Sequence, residues 1–209
     1  MCDYRQMQSD LEKRYQQFHA SANFNLPLAQ RLSVPLLVSL FENYIRSRYK
    51  IIVIGQETAG WDFYHDGQDH LHFSDFQRVD VQLAVRATLN TYRGFDFAQA
   101  PQHRQLLGTP FWQAYRQLRK NLENDLDQSI LWTNIFRMDV DNGSVINNAT
   151  DQERQSIYNI TSELLSDELS ILNPKVVIFF TGPNYNEAIK RQFPNVCFHR
   201  FLRHELVKV

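Results

Sequence analysis

The chain has 209 residues, of which 43% are hydrophobic and 22% are charged, and its formal net charge is −1. This length fits one hydrophobic core, and the composition excludes wholesale disorder. The nearly neutral charge argues against a strongly basic nucleic-acid-binding protein and against a protein with an acidic tail.

The N-terminal sequence and the cysteine content predict a cytoplasmic location. No run of about 18 apolar residues could cross a membrane, and charged residues such as Asp3 and Arg5 stand where a secretory signal would be apolar. The two cysteines, Cys2 and Cys197, form neither a disulfide framework nor a zinc-binding spacing. We therefore expect a cytoplasmic protein with no membrane partner, no metal and no cofactor.

Helical periodicity alternates with short apolar runs along the chain. Helices are predicted over residues 4–18, 33–44, 80–92, 109–122, 150–165 and 184–191. Prolines in the first turn support the helices that begin at Ser33 and Thr109, and a capping box of Thr150 and Glu153 supports the next one. Residues 61–78 are polar and aromatic without this pattern, which predicts a functional loop or lid.

The apolar runs predict strands at residues 51–54, 130–133 and 176–180, with a further strand at 196–198 or 206–209. The runs are continuous rather than alternating, as in parallel sheets that helices cover on both faces. The predicted fold is an α/β protein, a three-layer α/β/α sandwich with a central four-stranded parallel sheet. We expect a single domain over residues 1–209, with N-terminal helices in 1–48 and the core in 49–209.

Polar residues follow the ends of the predicted strands, where ligands bind in open parallel sheets. After the first strand, Gly55 allows close backbone approach, Gln56 offers a donor and an acceptor, and Glu57 offers a carboxylate. A turn with a capping acid would explain these residues equally well. Asn134 ends the second strand and could read the edge of a base, although a loop asparagine often bonds its own backbone instead. Gly182, after the third strand, is interpreted as a structural turn.

These segments together resemble the uracil-DNA glycosylase superfamily. That family carries a Gly-Gln-Asp-Pro-Tyr-His segment after its first core strand, which Gly55-Gln56-Glu57 resembles. A Phe-Ser pair follows, here Phe73-Ser74, and then one strand that ends in asparagine, here Asn134, and one that ends in glycine, here Gly182. The resemblance covers most of the chain from Lys50 onward. The Gly-Gln-Glu-Thr-x-Gly-Trp form is similar to a prokaryotic branch of the superfamily.

The resemblance implies base excision, in which a nucleotide is extruded from the stack and its N-glycosidic bond is cleaved. It implies a catalytic carboxylate at Glu57, which would stabilise the cationic sugar or position water. It further implies base contacts from Gly55, Gln56 and Asn134. The aromatic ring that stacks on the base would be Phe73.

Three departures from the family bear on activity. Glu57 replaces an aspartate, and Ala59 stands where a tyrosine excludes the thymine methyl group, so uracil selectivity is not implied. The family's catalytic histidine lies in a His-Pro-Ser segment after the last core strand. Here residues 206–209 resemble that strand, the sequence ends at Val209, and His204 precedes it. Either the native chain continues into such a segment, or the protein lacks this proton donor.

Other polar and aromatic residues have two interpretations. Trp61 could stack on a base, or it could simply pin its loop to the body. Arg200 and Arg203 belong to a basic C-terminal stretch that could contact phosphates, although solvated surface charge explains the stretch as well. Residues 65–72 contain three histidines, which we interpret as part of a polar loop rather than as a metal site.

Three functional hypotheses follow from these residues. The first is a DNA base-excision-type N-glycosylase-like protein that binds a flipped or free nucleobase at the carboxyl ends of the sheet strands; whether it is an enzyme depends on the histidine. The second is a non-catalytic nucleic-acid-binding or nucleotide-binding protein of the same fold. The third is a hydrolase of free nucleosides. The expected partner is DNA or another nucleobase-containing ligand, and the sequence does not determine the oligomeric state.

Overall fold

The computed structural model describes residues 4–62, 71–95, 108–122 and 128–196. Its sheet contains β1 (Ile51–Gly55), β2 (Ile130–Asn134) and β3 (Val176–Phe179) in the order β2-β1-β3, and both pairings are parallel. The three strands lie where the apolar runs predict them. The further strand predicted at 196–198 or 206–209 falls outside the described residues except for Val196, which belongs to no strand.

Burial differs between the strands of this sheet. Every residue of β1 and β2 is buried, which explains their continuous Ile, Val and Leu content. The residues of β3 are half-buried or exposed, although β2 and β3 both lie at an edge of the sheet among the described strands.

Helices flank the sheet. In chain order they are α1 (Tyr4–Ser21), α2 (Leu26–Ala29), α3 (Glu42–Arg46), α4 (Phe73–Arg78), α5 (Val81–Gly94), α6 (Pro110–Leu122), α7 (Val145–Asn148), α8 (Asp151–Leu172) and α9 (Asn186–Gln192), with a 3₁₀ turn at Pro183–Tyr185. The predicted capping box starts α8, since the Thr150 hydroxyl accepts from the Glu153 N–H and the Thr150 N–H donates to the Glu153 carboxylate. The N-terminal helix α1 packs against α5 and α8. No helix among these described residues is long and apolar enough to cross a membrane.

The predicted helix over residues 33–44 is wrong except at its end, where α3 begins. The backbone instead runs beside the residues that follow β2. The Ser33 N–H donates to the Asp139 carbonyl at 3.0 Å, and the Leu36 N–H donates to the Arg137 carbonyl at 2.8 Å. The leucine and valine side chains of this segment are buried all round, so tertiary contacts override the helical spacing that their sequence suggests.

The predicted loop over residues 61–78 is wrong in its last third, where α4 forms. Asp75 stabilises the start of α4, because its carboxylate accepts from the His72 N–H at 3.0 Å. The apolar side of α4 is buried in the core. Residues 63–70 lie outside the described part of the chain.

Candidate functional site

Gly55 and Asn134 end adjacent strands and are paired in the register of β1 and β2. The pairing continues past the strands, since the Ile135 N–H donates to the Gly55 carbonyl and the Phe136 N–H donates to the Gln56 carbonyl, both at 3.0 Å. We call this end of the sheet the carboxyl edge. The parallel arrangement therefore brings together the polar residues that follow two strands in the sequence.

A glycine is required at position 55 because neighbouring side chains lie close to its Cα, and not because of its backbone conformation. A Cβ built on it would lie 2.5 Å from Oδ1 of Asn134 and 2.8 Å from Cε2 of Phe111. Both distances are shorter than any carbon contact a folded protein tolerates without rearrangement. Because Gly55 has no side chain, Oδ1 of Asn134 and the ring edge of Phe111 can both lie in the space that a Cβ would fill.

The residue that ends β2, Asn134, is largely buried. Only 5% of the residue is exposed, and its amide makes no hydrogen bond with the residues that the structure describes. The sequence alternative, an asparagine that bonds its own backbone, is therefore not observed here. A ligand at this edge could accept from the NH₂ group of the amide and donate to its Oδ1.

The carboxylate of Glu57 is held by groups that follow β2 and β3. Oε2 accepts from the Val145 N–H at 3.0 Å, and Oε1 accepts from the Tyr185 hydroxyl. Burial raises the pKa of Glu57 more than these hydrogen bonds lower it, and the negative charge of Asp139 adds to the rise in pKa.

Gln56 follows Gly55 on the exposed side of the carboxyl edge. Its amide nitrogen donates to the Thr181 carbonyl at 2.6 Å, beside the Gly182 turn. This bond ties the ends of β1 and β3 together and uses the side-chain donor. The amide oxygen of Gln56 keeps its acceptor capacity, because it has no partner among the described residues.

Asp139 fixes the loop that follows Glu57. Its Oδ2 accepts from the Thr58 hydroxyl at 2.7 Å and from the Gly60 N–H at 2.9 Å. The Asp139 backbone N–H in turn donates to the Ser33 hydroxyl at 3.0 Å. This buried carboxylate couples the segment after β1 to the segment after β2, and it was not singled out by the sequence analysis.

The two aromatic residues predicted to stack on a base lie in the interior. Phe73 is fully buried and packs against Phe24, with ring centroids 4.9 Å apart, in the core beside α1. A stacking role would require this ring to leave its core packing. Trp61 is 7% exposed and packs against Phe95 and Trp132, and its buried indole N–H has no partner in the described part of the chain.

Tyr185 and Phe111 are site residues that sequence reasoning missed. Tyr185 follows the Gly182 turn, which we had interpreted as purely structural, and its position after β3 was the available signal. Phe111 stands in the first turn of α6, where it reads as one member of an apolar helical stripe. Nothing in the sequence indicates that its ring reaches Gly55.

Several predicted residues fall outside the described ranges. The proposed phosphate contacts Arg200 and Arg203 lie there, as do the histidines at positions 65 and 70. Within the described ranges, no group of three or more His, Cys, Asp or Glu side chains is placed to hold a metal ion.

Comparison with known proteins finds no relative for this chain: no family model, no curated protein and no solved structure matches it.

Proposed function

We propose that the chain binds a nucleobase, flipped from a strand or free, at the carboxyl edge of its sheet and hydrolyses its N-glycosidic bond. The observation that carries the proposal is the position of Asn134 at the end of β2, beside Gly55, with an amide that makes no hydrogen bond to another described residue. The uracil-DNA glycosylase superfamily, which the strand-end motifs resemble, is the family to which we would assign the chain.

A nucleobase fits the requirements of the Asn134 amide. Pyrimidines and purines present a carbonyl beside a ring N–H, and an asparagine amide can donate to the first and accept from the second. The free amide oxygen of Gln56 adds a further acceptor at the same edge.

Glu57 would act on the sugar. Hydrolysis breaks the C1′–N bond, leaves positive charge on the sugar ring, and adds water at C1′ while the base departs with the bonding electrons. A carboxylate near the ring stabilises that charge and orients the water. The hydrogen bonds from Val145 and Tyr185 would fix the position of the carboxylate for this role.

The activity test uses oligonucleotides that carry a single uracil, hypoxanthine or mismatched thymine. We expect abasic product with the unaltered chain and at least about 100-fold less product with Glu57→Gln, as for the loss of a positioned catalytic carboxylate. Glu187→Gln is the control, because Glu187 is an exposed glutamate that forms a surface ion pair with Lys190. Equal product from the unaltered chain and Glu57→Gln would refute catalysis by Glu57.

The alternative is a non-catalytic protein that binds a nucleobase at the same place. Both oxygens of the Glu57 carboxylate already accept hydrogen bonds from the protein, and this observation favours the alternative. Base-dependent binding of an oligonucleotide without any abasic product, unchanged in Glu57→Gln, would support this alternative over the enzyme. Loss of binding in Glu57→Gln would count against it.

A further inference from the structure

The ring of Phe111 adjoins the amide of Asn134. Two atoms of the ring edge, Cε2 and Cδ2, lie 2.8 and 3.1 Å from the point where a Cβ of Gly55 would be, and Oδ1 of Asn134 lies 2.5 Å from the same point. The two side chains therefore share the space above Gly55. A flat ligand that hydrogen-bonds to the amide would therefore lie close to this ring.

Phe111 is held in place but not enclosed. Its ring lies parallel to Tyr115, with centroids 6.1 Å apart and an interplanar angle of 7°, and it meets Phe180 edge-on at 6.2 Å. These contacts fix the ring relative to the strand ends. Phe111 nevertheless remains half-buried, unlike its fully buried neighbour Tyr115. An aromatic ring that is both fixed and accessible offers a stacking surface at little cost in conformational entropy.

Phe73 lacks both properties. Its ring is buried in the core with Phe18 and Phe24, and it is not among the atoms nearest to Gly55. The described residues thus place one half-exposed aromatic ring, Phe111, against the pairing of Gly55 with Asn134.

We propose that Phe111 is the ring on which the bound nucleobase stacks, so that α6 rather than residues 73–74 supplies the aromatic contact. This inference rests on the proposed function and specifies one of its residues. Stacking on an aromatic side chain tolerates every base, because every base has a π face. The choice between bases then falls to the hydrogen bonds of Asn134.

The test measures the affinity that a base contributes. The Glu57→Gln variant, which prevents turnover, is titrated with single-stranded oligonucleotides that carry one uracil, thymine or hypoxanthine, and with the same oligonucleotide carrying an abasic analogue. Phe111→Leu and Phe111→Tyr are made in this background, with Phe193→Leu as the control. Phe193 is another half-buried aromatic residue, and it packs on Phe179 with centroids 5.7 Å apart.

We expect Phe111→Leu to weaken base-dependent binding about tenfold, which corresponds to about 1.4 kcal/mol. Phe111→Tyr keeps the ring and should bind as tightly as the Glu57→Gln background with Phe111 intact. Phe193→Leu should leave the affinity of that background unchanged. Unfolding curves establish that each variant is folded, and rescue by tyrosine separates stacking from a structural effect of leucine.

Equal or tighter binding by Phe111→Leu would overturn the inference; tighter binding would mean that the ring occupies the place of the base. If Asn134→Leu abolishes base-dependent binding and Phe111→Leu does not, the stacking inference fails while the proposed function stands. If no oligonucleotide binds better than its abasic analogue, both fail.

Discussion

Asn134 ends β2 and Arg137 lies three residues further on. Both residues are buried, but they differ in their interaction partners. Arg137 is fully buried and pairs with Glu168 of α8, and Glu168 also accepts from the Tyr15 hydroxyl at 2.8 Å. Burial lowers the pKa of Arg137 to about 10, so it stays charged at neutral pH. The amide of Asn134 has no such partner among the described residues. The charge of Arg137 is thus paired inside the protein, whereas the amide of Asn134 can still bond to a ligand.

Breaking the ion pair of Arg137 should have the largest effect on stability. Glu168→Ala leaves the guanidinium charge buried and unpaired, which costs about 3–5 kcal/mol of unfolding free energy. The control is Asp167→Ala at the adjacent position. Asp167 is 47% exposed and pairs with Arg14, and such surface pairs contribute about 0–1 kcal/mol. Equal denaturant midpoints for the two variants would contradict the assignment of Glu168 to the folded core.

Removing the Asp139 carboxylate should have an intermediate effect. Asp139→Ala leaves the Thr58 hydroxyl and the Gly60 N–H without their acceptor, which costs about 1–3 kcal/mol. Asp141→Asn is the matched control, because Asp141 is 50% exposed and forms a surface pair with Arg31. Urea denaturation compares them. If Asp139→Ala unfolds at the same urea concentration as the control, Asp139 does not anchor the loop after Glu57.

The two glutamates Glu57 and Glu153 should give pH effects of opposite sign. Burial raises the pKa of Glu57 in the folded protein, so its ionisation costs stability as pH rises from its unfolded pKa through the raised folded pKa. Hydrogen bonding to Thr150 lowers the pKa of Glu153, so ionised Glu153 contributes stability that is lost as pH falls through its lowered pKa.

The measurement is Tm as a function of pH for Glu57→Gln and Glu153→Gln. Relative to the unaltered chain, Glu57→Gln should gain stability as pH rises from 4 to 8, and Glu153→Gln should lose stability over the same range. Parallel curves for the two variants would mean that the environments of these carboxyl groups do not differ as described.

Much of the fold could be predicted from the sequence, because buried parallel strands require continuous apolar runs and helix starts carry local signals. The strands β1 and β2 and the capping box of Thr150 are examples. The segment over residues 33–44 could not, since its leucines satisfy a helical spacing while its backbone bonds to residues about 100 positions away. Local spacing does not encode such a partner.

The positions of the candidate site residues followed from the same reasoning, and their role stays a prediction. Strand ends meet at one edge of a parallel sheet, which is why Gly55, Glu57 and Asn134 could be named before their surroundings were known. The contacts of Phe111 and Tyr185 depend on how α6 and the turn after β3 approach that edge. Tertiary packing decides those contacts, and a single sequence does not display it.

The most direct test of the role of Asn134 combines stability and binding in Asn134→Leu. The side chain has no hydrogen-bond partner to lose among the described residues, so the unfolding free energy should change by less than about 1 kcal/mol, the smallest effect among these substitutions. Base-dependent oligonucleotide affinity should disappear in the same variant. A folded Asn134→Leu protein that still binds the base-containing oligonucleotide more tightly than its abasic analogue, to the same degree as the unaltered chain, would contradict nucleobase recognition by Asn134.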